Sequence, residues 1–294
     1  MENRAIFLPQ AWLENASLIL ARLDNGQSCH FLFPLESYLD SGERYFSSLP
    51  MDQIHSSLFV FHLKYQNPSY HHLWPKWIQS RETGFFCCAF IFSGSLDDFL
   101  TDFEKQPICK FPDSFMGTCQ YEPPYTYQLD SWEMNGVRAF HPGDYYKNEV
   151  MEILADQGEV WLYWGHGDWD RLRGYGHLEK KDLQALKRKK PFAMTLWFSC
   201  STLDFTHGFP IAWEWYQQGK TKSLFCSSDK ISTQANQLFA SQLLQKIIEC
   251  KHQQSIAELL LWSFEAKKEE LNPVQESYYL LGNPWIGIGK NSIG

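Results

Sequence analysis

A histidine lies between two glycines at the end of an apolar run, Val160-Trp161-Leu162-Tyr163-Trp164-Gly165-His166-Gly167-Asp168. Glycine on either side lets the backbone turn sharply and leaves the imidazole exposed. The next apolar run, Ala193-Met194-Thr195-Leu196-Trp197-Phe198, ends in Ser199-Cys200-Ser201. A thiol becomes a nucleophile when a neighbouring base takes its proton or an imidazolium steadies the thiolate. Cys200 and His166 therefore suit thiol chemistry if the ends of the two runs meet. Each alone has an ordinary reading. A histidine at a strand end is commonly a satisfied polar group, and a cysteine in an apolar run packs as a small hydrophobe. The Gly-His-Gly setting and the matched run ends favour the functional reading of the two together.

Other residues of suitable type lack such a setting. Cys226 also closes an apolar run, but no glycine-flanked histidine precedes it, and it reads as structural. His71-His72 has no further ligand at helical spacing, and the eight cysteines include no CxxC pair, so no metal site is expected. Lys187-Arg188-Lys189-Lys190 falls at a predicted helix C-terminus, where cations suit the macrodipole.

For the two runs to meet they must be neighbouring strands. Both are nearly continuous in apolar residues, as are Cys29–Leu35, Leu58–Leu63, Phe85–Phe92 and Ser223–Cys226, which is the pattern of strands buried on both faces. Asp168–Lys190 can supply a loop and a crossover helix, with Leu183 and Leu186 inward. Adjacent parallel strands lie about 4.8 Å apart. Their C-terminal ends would bring thiol and imidazole to the edge at which open α/β sheets bind ligands. Helices are expected over Tyr145–Asp156 with Asp144 as N-cap, over Pro210–Gln218, over Asn236–Cys250, and from Ser255, whose Glu258 completes a capping box. This alternation predicts an α/β fold with a mostly parallel sheet flanked by helices. Pro107, Pro112, Pro123 and Pro124 cluster around Cys109–Pro124 and suggest a smaller N-terminal α/β subdomain, 1–112, followed by a second domain, 113–294.

The whole-chain numbers narrow the function classes. Of 294 residues, 44% are apolar and 20% charged, enough to bury a sizeable core, so wholesale disorder is excluded. A net charge of −8 disfavours phosphate backbones and anionic membranes, and makes the basic run a solvated helix end. No apolar stretch reaches the roughly 18–20 residues of a membrane helix. No secretory leader is visible at Met1–Pro9, and several cysteines sit inside apolar runs, which fits a reducing cytoplasm.

Gly165-His166-Gly167 after one strand, then Ser199-Cys200 after the next, resembles the caspase-like clan of cysteine peptidases, and within it the gingipain-type peptidases and their small bacterial relatives. Asp170–His177, with its Gly174-Tyr175-Gly176 core, is similar to the Gly/aromatic loop that follows the histidine there. Ser223–Ser228 resembles the strand after the cysteine strand. Tyr279-Leu280-Leu281-Gly282-Asn283-Pro284 resembles a Leu-Gly-Asp-Pro closing strand, with Asn283 in place of Asp. The likeness runs from about Phe115 to Ile288. It implies a caspase/gingipain-like sheet and a cysteine endopeptidase. Cys200 would attack the scissile carbonyl, and His166 would protonate the leaving amine and later help activate water. The N–H groups of Gly167 and Cys200 would form the oxyanion hole. No cofactor is implied, and calcium, present in some relatives, has no ligand spacing here. A third residue orienting the histidine is not determined; Asp144 is one candidate.

The expected partner is a protein or peptide substrate, with neither nucleic acid nor membrane; the oligomeric state is left open. Asp168, Asp170, Asp204, Glu214 and Asp229 flank the predicted edge and favour a basic side chain before the scissile bond. His177 would line the groove and His207 edge it, although both also read as polar surface. Arg171 and Arg173 pull the other way, towards an acidic side chain as in caspases. Family analogy suggests a stand-alone protease that activates a partner effector in bacterial defence. Two other readings stand: a catalytically inactive caspase-like recruitment module, and another thiol-dependent acyl transferase or hydrolase. Retention of both Cys200 and His166 counts against simple loss of catalysis.

Overall fold

The computed structural model describes residues 2–24, 28–41, 54–81, 84–103 and 107–290. Backbone packing divides the chain into two units, Met1–Gln106 with Leu280–Trp285, and Pro107–Tyr279 with Ile286–Gly294.

In the first unit the strands are β1 (Glu2–Leu8), β2 (Ser28–Pro34), β3 (Ser56–His62), β4 (Ile78–Arg81) and β5 (Gly84–Ser93). Their order is β2-β1-β3-β5, all parallel, with β4 antiparallel on β5. The helices are α1 (Gln10–Leu13), α2 (Ala16–Leu23), α3 (Leu35–Ser41) and α4 (Leu96–Phe103). Phe7 of β1 and Phe59 of β3 are register partners on neighbouring strands, and their rings stack at 4.3 Å. The returning segment adds Leu281 beside Phe90 of β5, and Trp285, which is buried and donates its indole N–H to Ser56 Oγ at 2.9 Å.

In the second unit the strands are β6 (Ile108–Phe111), β7 (Phe115–Cys119), β8 (Arg138–Phe140), β9 (Val160–Trp164), β10 (Gly167–Asp168), β11 (Arg171–Leu172), β12 (Leu178–Glu179), β13 (Met194–Phe198), β14 (Ser223–Ser227), β15 (Gln254–Ser255), β16 (Tyr278–Gly282) and β17 (Gly287–Lys290). The main sheet runs β16-β14-β13-β9-β7-β8; β10-β11-β12 and β15-β17-β6 are small separate sheets. Helices α5 (Pro123–Glu133), α6 (Lys147–Asp156), α7 (Lys180–Ala185), α8 (Ile211–Gln217), α9 (Thr233–Glu249), α10 (Ile256–Glu265) and α11 (Asn272–Ser277) complete it. Every residue of β7, β9, β13 and β14 is buried, as their largely apolar character requires. Trp161 and Trp197 pack edge to face at 5.5 Å, and the buried indoles of Trp161 and Trp215 find the hydroxyls of Thr118 and Thr195. No helix among the described residues is long and apolar enough to cross a membrane.

Two local expectations differ from what forms. Helix α6 begins at Lys147, and Asp144 does not cap it. The carboxylate of Glu149 accepts the Tyr146 N–H at 2.7 Å, while the Asp144 N–H turns back to His141 C=O. The Cys109–Pro124 region is not a plain junction, because it contains β7, paired in parallel with β9 along its whole length. A mid-strand glycine and flanking prolines hide that strand. Gly117 is needed because a Cβ there would lie 2.6 Å from Leu129 Cδ1.

Candidate active site

Strands β9 and β13 are parallel neighbours, registered so that Trp164 stands opposite Phe198. Gly165-His166-Gly167 and Ser199-Cys200 therefore leave the sheet at the same C-terminal edge. The two glycines are demanded by close approach, not by a left-handed backbone. A Cβ on Gly165 would meet Tyr163 Oη at 2.4 Å, and one on Gly167 would meet the Cys200 carbonyl oxygen at 2.6 Å. The left-handed residue is Ser201, at φ 50°, directly after the cysteine. That conformation costs a non-glycine residue roughly 1–2 kcal/mol. It is held by Ser201 N–H donating to the Asp229 carbonyl at 3.0 Å.

Two main-chain donors at this edge are left without an acceptor among the described residues. Arg173 N–H donates to His166 C=O at 3.0 Å, which makes Gly167–Leu172 a non-hydrogen-bonded pair of the β10–β11 ribbon. The Gly167 N–H thus points out of that ribbon. The Cys200 N–H has no acceptor among the described residues.

The imidazole of His166 is 43% exposed, so it faces solvent. Tyr125 Oη lies 3.3 Å from Nε2 and 3.4 Å from Nδ1, with the rings edge to face, and Glu122 Oε2 lies 3.8 Å from Nε2. The His166 main chain is pinned as well. Its N–H donates to Gln120 Oε1 at 2.8 Å, and its carbonyl accepts from Tyr163 Oη at 3.0 Å. Cys200 is partly buried. Its Sγ lies 3.3 Å from both Ile231 O and Ile231 N, and it is not hydrogen-bonded to the imidazole. Tyr125 Oη also reaches Thr233 Oγ1 at 3.3 Å, so α5 and the start of α9 flank the two groups.

All eight cysteines are free. Cys226 is fully enclosed, and burial pushes its thiol well above the ordinary range; burial pushes Cys109 and Cys119 up to about 12. These three are packing residues. Cys200 is the partly exposed thiol at the sheet's C-terminal edge.

The remaining expected residues are dispersed. Asp168 is paired with Arg173 at 2.7 Å, and Asp170 is gripped at both oxygens by Arg171, which holds its carboxyl below the usual range. Glu214 is paired with Lys180. Asp204 spends Oδ1 on Thr206, and Asp229 spends Oδ1 on Lys230 N–H. These acids do not gather into one cluster, and Arg171 and Arg173 each pair with one of them. His177 is exposed at φ 73°, and His207 packs near Trp169 at 5.8 Å. Sequence reasoning missed Gln120, Glu122 and Tyr125. The available signal was the apolar run Phe115–Cys119 leading directly into them, the same pattern that marks β9 and β13.

The sequence matches the model of peptidase family C25 over residues 100–288, well over half of the chain. The chain belongs to peptidase family C25. It is a cysteine-type peptidase. The matched span includes both His166 and Cys200 of this C25 member. Its fold is similar to the complex of Porphyromonas gingivalis RgpB pro- and mature domains, with a TM-score of 0.68 and 11% identity over 97% of this chain and 79% of that one. The Arg-specific cysteine proteinase gingipain R also has a TM-score of 0.68, with 10% identity over 97% and 78%. A chain of the Saccharomyces cerevisiae separase–securin complex has a TM-score of 0.52, with 9% identity over 81% of this chain and 16% of that one. At such identities the likeness is one of fold. A comparison with curated proteins by sequence returns no match.

Proposed function

We propose that the chain is an endopeptidase working through a Cys200–His166 dyad. The supporting observation is the shared edge of β9 and β13, where Gly167 packs directly on the Cys200 carbonyl. Substrate displaces the Ile231 main chain from Sγ, and the exposed imidazole closes on the thiol, as catalytic contacts often tighten only with substrate bound. His166 takes the thiol proton and sulfur attacks the scissile carbonyl carbon. The resulting oxyanion receives the N–H groups of Gly167 and Cys200. Imidazolium then protonates the departing amine, leaving a thioester. A water that gives its proton to the imidazole cleaves the thioester and restores the thiol. Tyr125 and Glu122 orient the ring.

The substrate is a protein. The chain acts in a reducing cytoplasm, consistent with eight free thiols, and its cut switches on a partner effector in bacterial defence. Fluorogenic peptides with Arg, Lys, Asp or small residues before the scissile bond test the chemistry. Wild type should cleave some of them, and Cys200→Ala and His166→Ala should each lose about a thousandfold or more. A folded wild type that cleaves nothing would favour the recruitment-module reading, and a Cys200→Ala that cleaves as well as wild type would overturn Cys200 as the nucleophile. Cells carrying wild type should contain one new protein terminus that is missing with Cys200→Ala.

A further inference from the structure

A pocket of about 770 Å³ opens over the ends of β7 and β8, which lie beyond β9 from β13 in the strand order. It is built from the segments that follow β7, β8 and β9, at the same edge of the sheet. Gln120 and Arg173 tie its lining to the His166 main chain, which both of them bond. Tyr175 makes a rigid floor: it is buried, its hydroxyl donates to Phe140 C=O, and it accepts from Cys119 N–H at 3.2 Å. Tyr121 and Tyr146 are 76% and 81% exposed, so their rings stand open to an incoming group. The charged groups of the lining are Lys147 and Arg173, and no carboxylate joins them. Each cation pairs sideways, Lys147 with Asp182 and Arg173 with Asp168. The Arg173 pair is open to water, where ion pairs are weak and exchange partners, and the Lys147 pair is more enclosed.

Tyrosine faces around two cations, in a chain of net charge −8, suit an apolar stem ending in a negative group. A basic side chain would meet like charge. The distance can be bounded from the strand order. Cys200 follows β13, whereas the pocket sits over the ends of β7 and β8, two to three strand spacings away, or roughly 10–14 Å. An extended peptide advances about 3.3 Å per residue.

We infer that this pocket is a distal subsite for an Asp or Glu side chain of the polypeptide being cleaved, about three or four residues from the scissile bond. The inference rests on the peptidase reading above and adds a substrate feature at a place the dyad does not use. Specificity then comes from two points, the scissile bond and an acidic anchor beyond it.

The test uses the whole 294-residue chain carrying Cys200→Ala, which binds without cutting, on an array of randomised peptides. Asp and Glu should be enriched at one position. Replacing that acid by its amide should weaken binding about tenfold, and Lys147→Gln or Tyr146→Ala should abolish the preference. Tyr146 is largely exposed, so its replacement leaves the fold intact. Absence of acidic enrichment, or enrichment that survives both substitutions, overturns the subsite. Failure of wild type to cleave, with acidic binding intact, overturns the peptidase mechanism alone.

Discussion

His166 is held at its main chain by Gln120, Arg173 and Tyr163, while the polar partners of its ring among the described residues are Tyr125 and Glu122. The backbone is thus immobilised, and the ring depends on two side chains from the start of α5. Burial pushes the Tyr125 hydroxyl above its ordinary range, so it stays protonated wherever an imidazole titrates. Tyr125 is a positioning residue. Tyr125→Phe should lower kcat about tenfold and leave KM nearly unchanged, as loss of one modest hydrogen bond in the transition state would. Thr233→Val removes the other Tyr125 contact and should leave kcat near wild type. Steady-state kinetics on one peptide decides between a ring-orienting role and a merely structural one.

At the scale of elements, the site depends on how closely β9 and β13 approach beyond their last paired residues. Glycine at 167 is the condition for that approach, because the Cys200 carbonyl, Thr202 Cγ2 and Ser199 Cβ crowd the position its Cβ would occupy. Gly167→Ala should cost about 1–3 kcal/mol of stability, and should lower kcat roughly 10²–10³-fold by displacing an oxyanion donor. Denaturant melts paired with single-turnover cleavage check both effects. An intact melt with intact cleavage would show that the two ends tolerate separation. The small β10–β12 ribbon was not foreseen, because two-residue strands carry no periodicity. It nevertheless aims the Gly167 N–H and, through the Tyr163 hydroxyl bond to Gly174 N–H, ties the following loop to β9.

Across the whole molecule, one buried group makes stability depend on pH. In the first, His30 on β2 is mostly buried, and its Nε2 has no partner among the described residues. Burial, with Arg4 nearby, lowers its pKa to about 4. The unfolded chain takes up this proton near the ordinary value of about 6.5, and the folded chain only near 4. Stability is therefore fully present above about pH 6.5 and falls as pH drops towards 4. The loss should reach about 2 kcal/mol by roughly pH 5. Urea melts of wild type and His30→Leu at neutral and mildly acidic pH should show that the substitution flattens this fall; parallel curves would refute it. Much of the fold could be read locally. Nearly continuous apolar runs mark β9, β13 and β14, and the Ser255–Glu258 capping box marks α10, because burial on both faces and helix capping depend on nearest neighbours in the chain. The same local logic singled out His166 and Cys200 at the ends of consecutive strands. Their surroundings were decided only by tertiary structure. Gln120 lies 46 residues before His166 and Tyr125 41 before it, while Ile231 lies 31 after Cys200. Contacts over such separations are made by the stacking order of strands in the sheet, and that order leaves no periodic trace in the sequence.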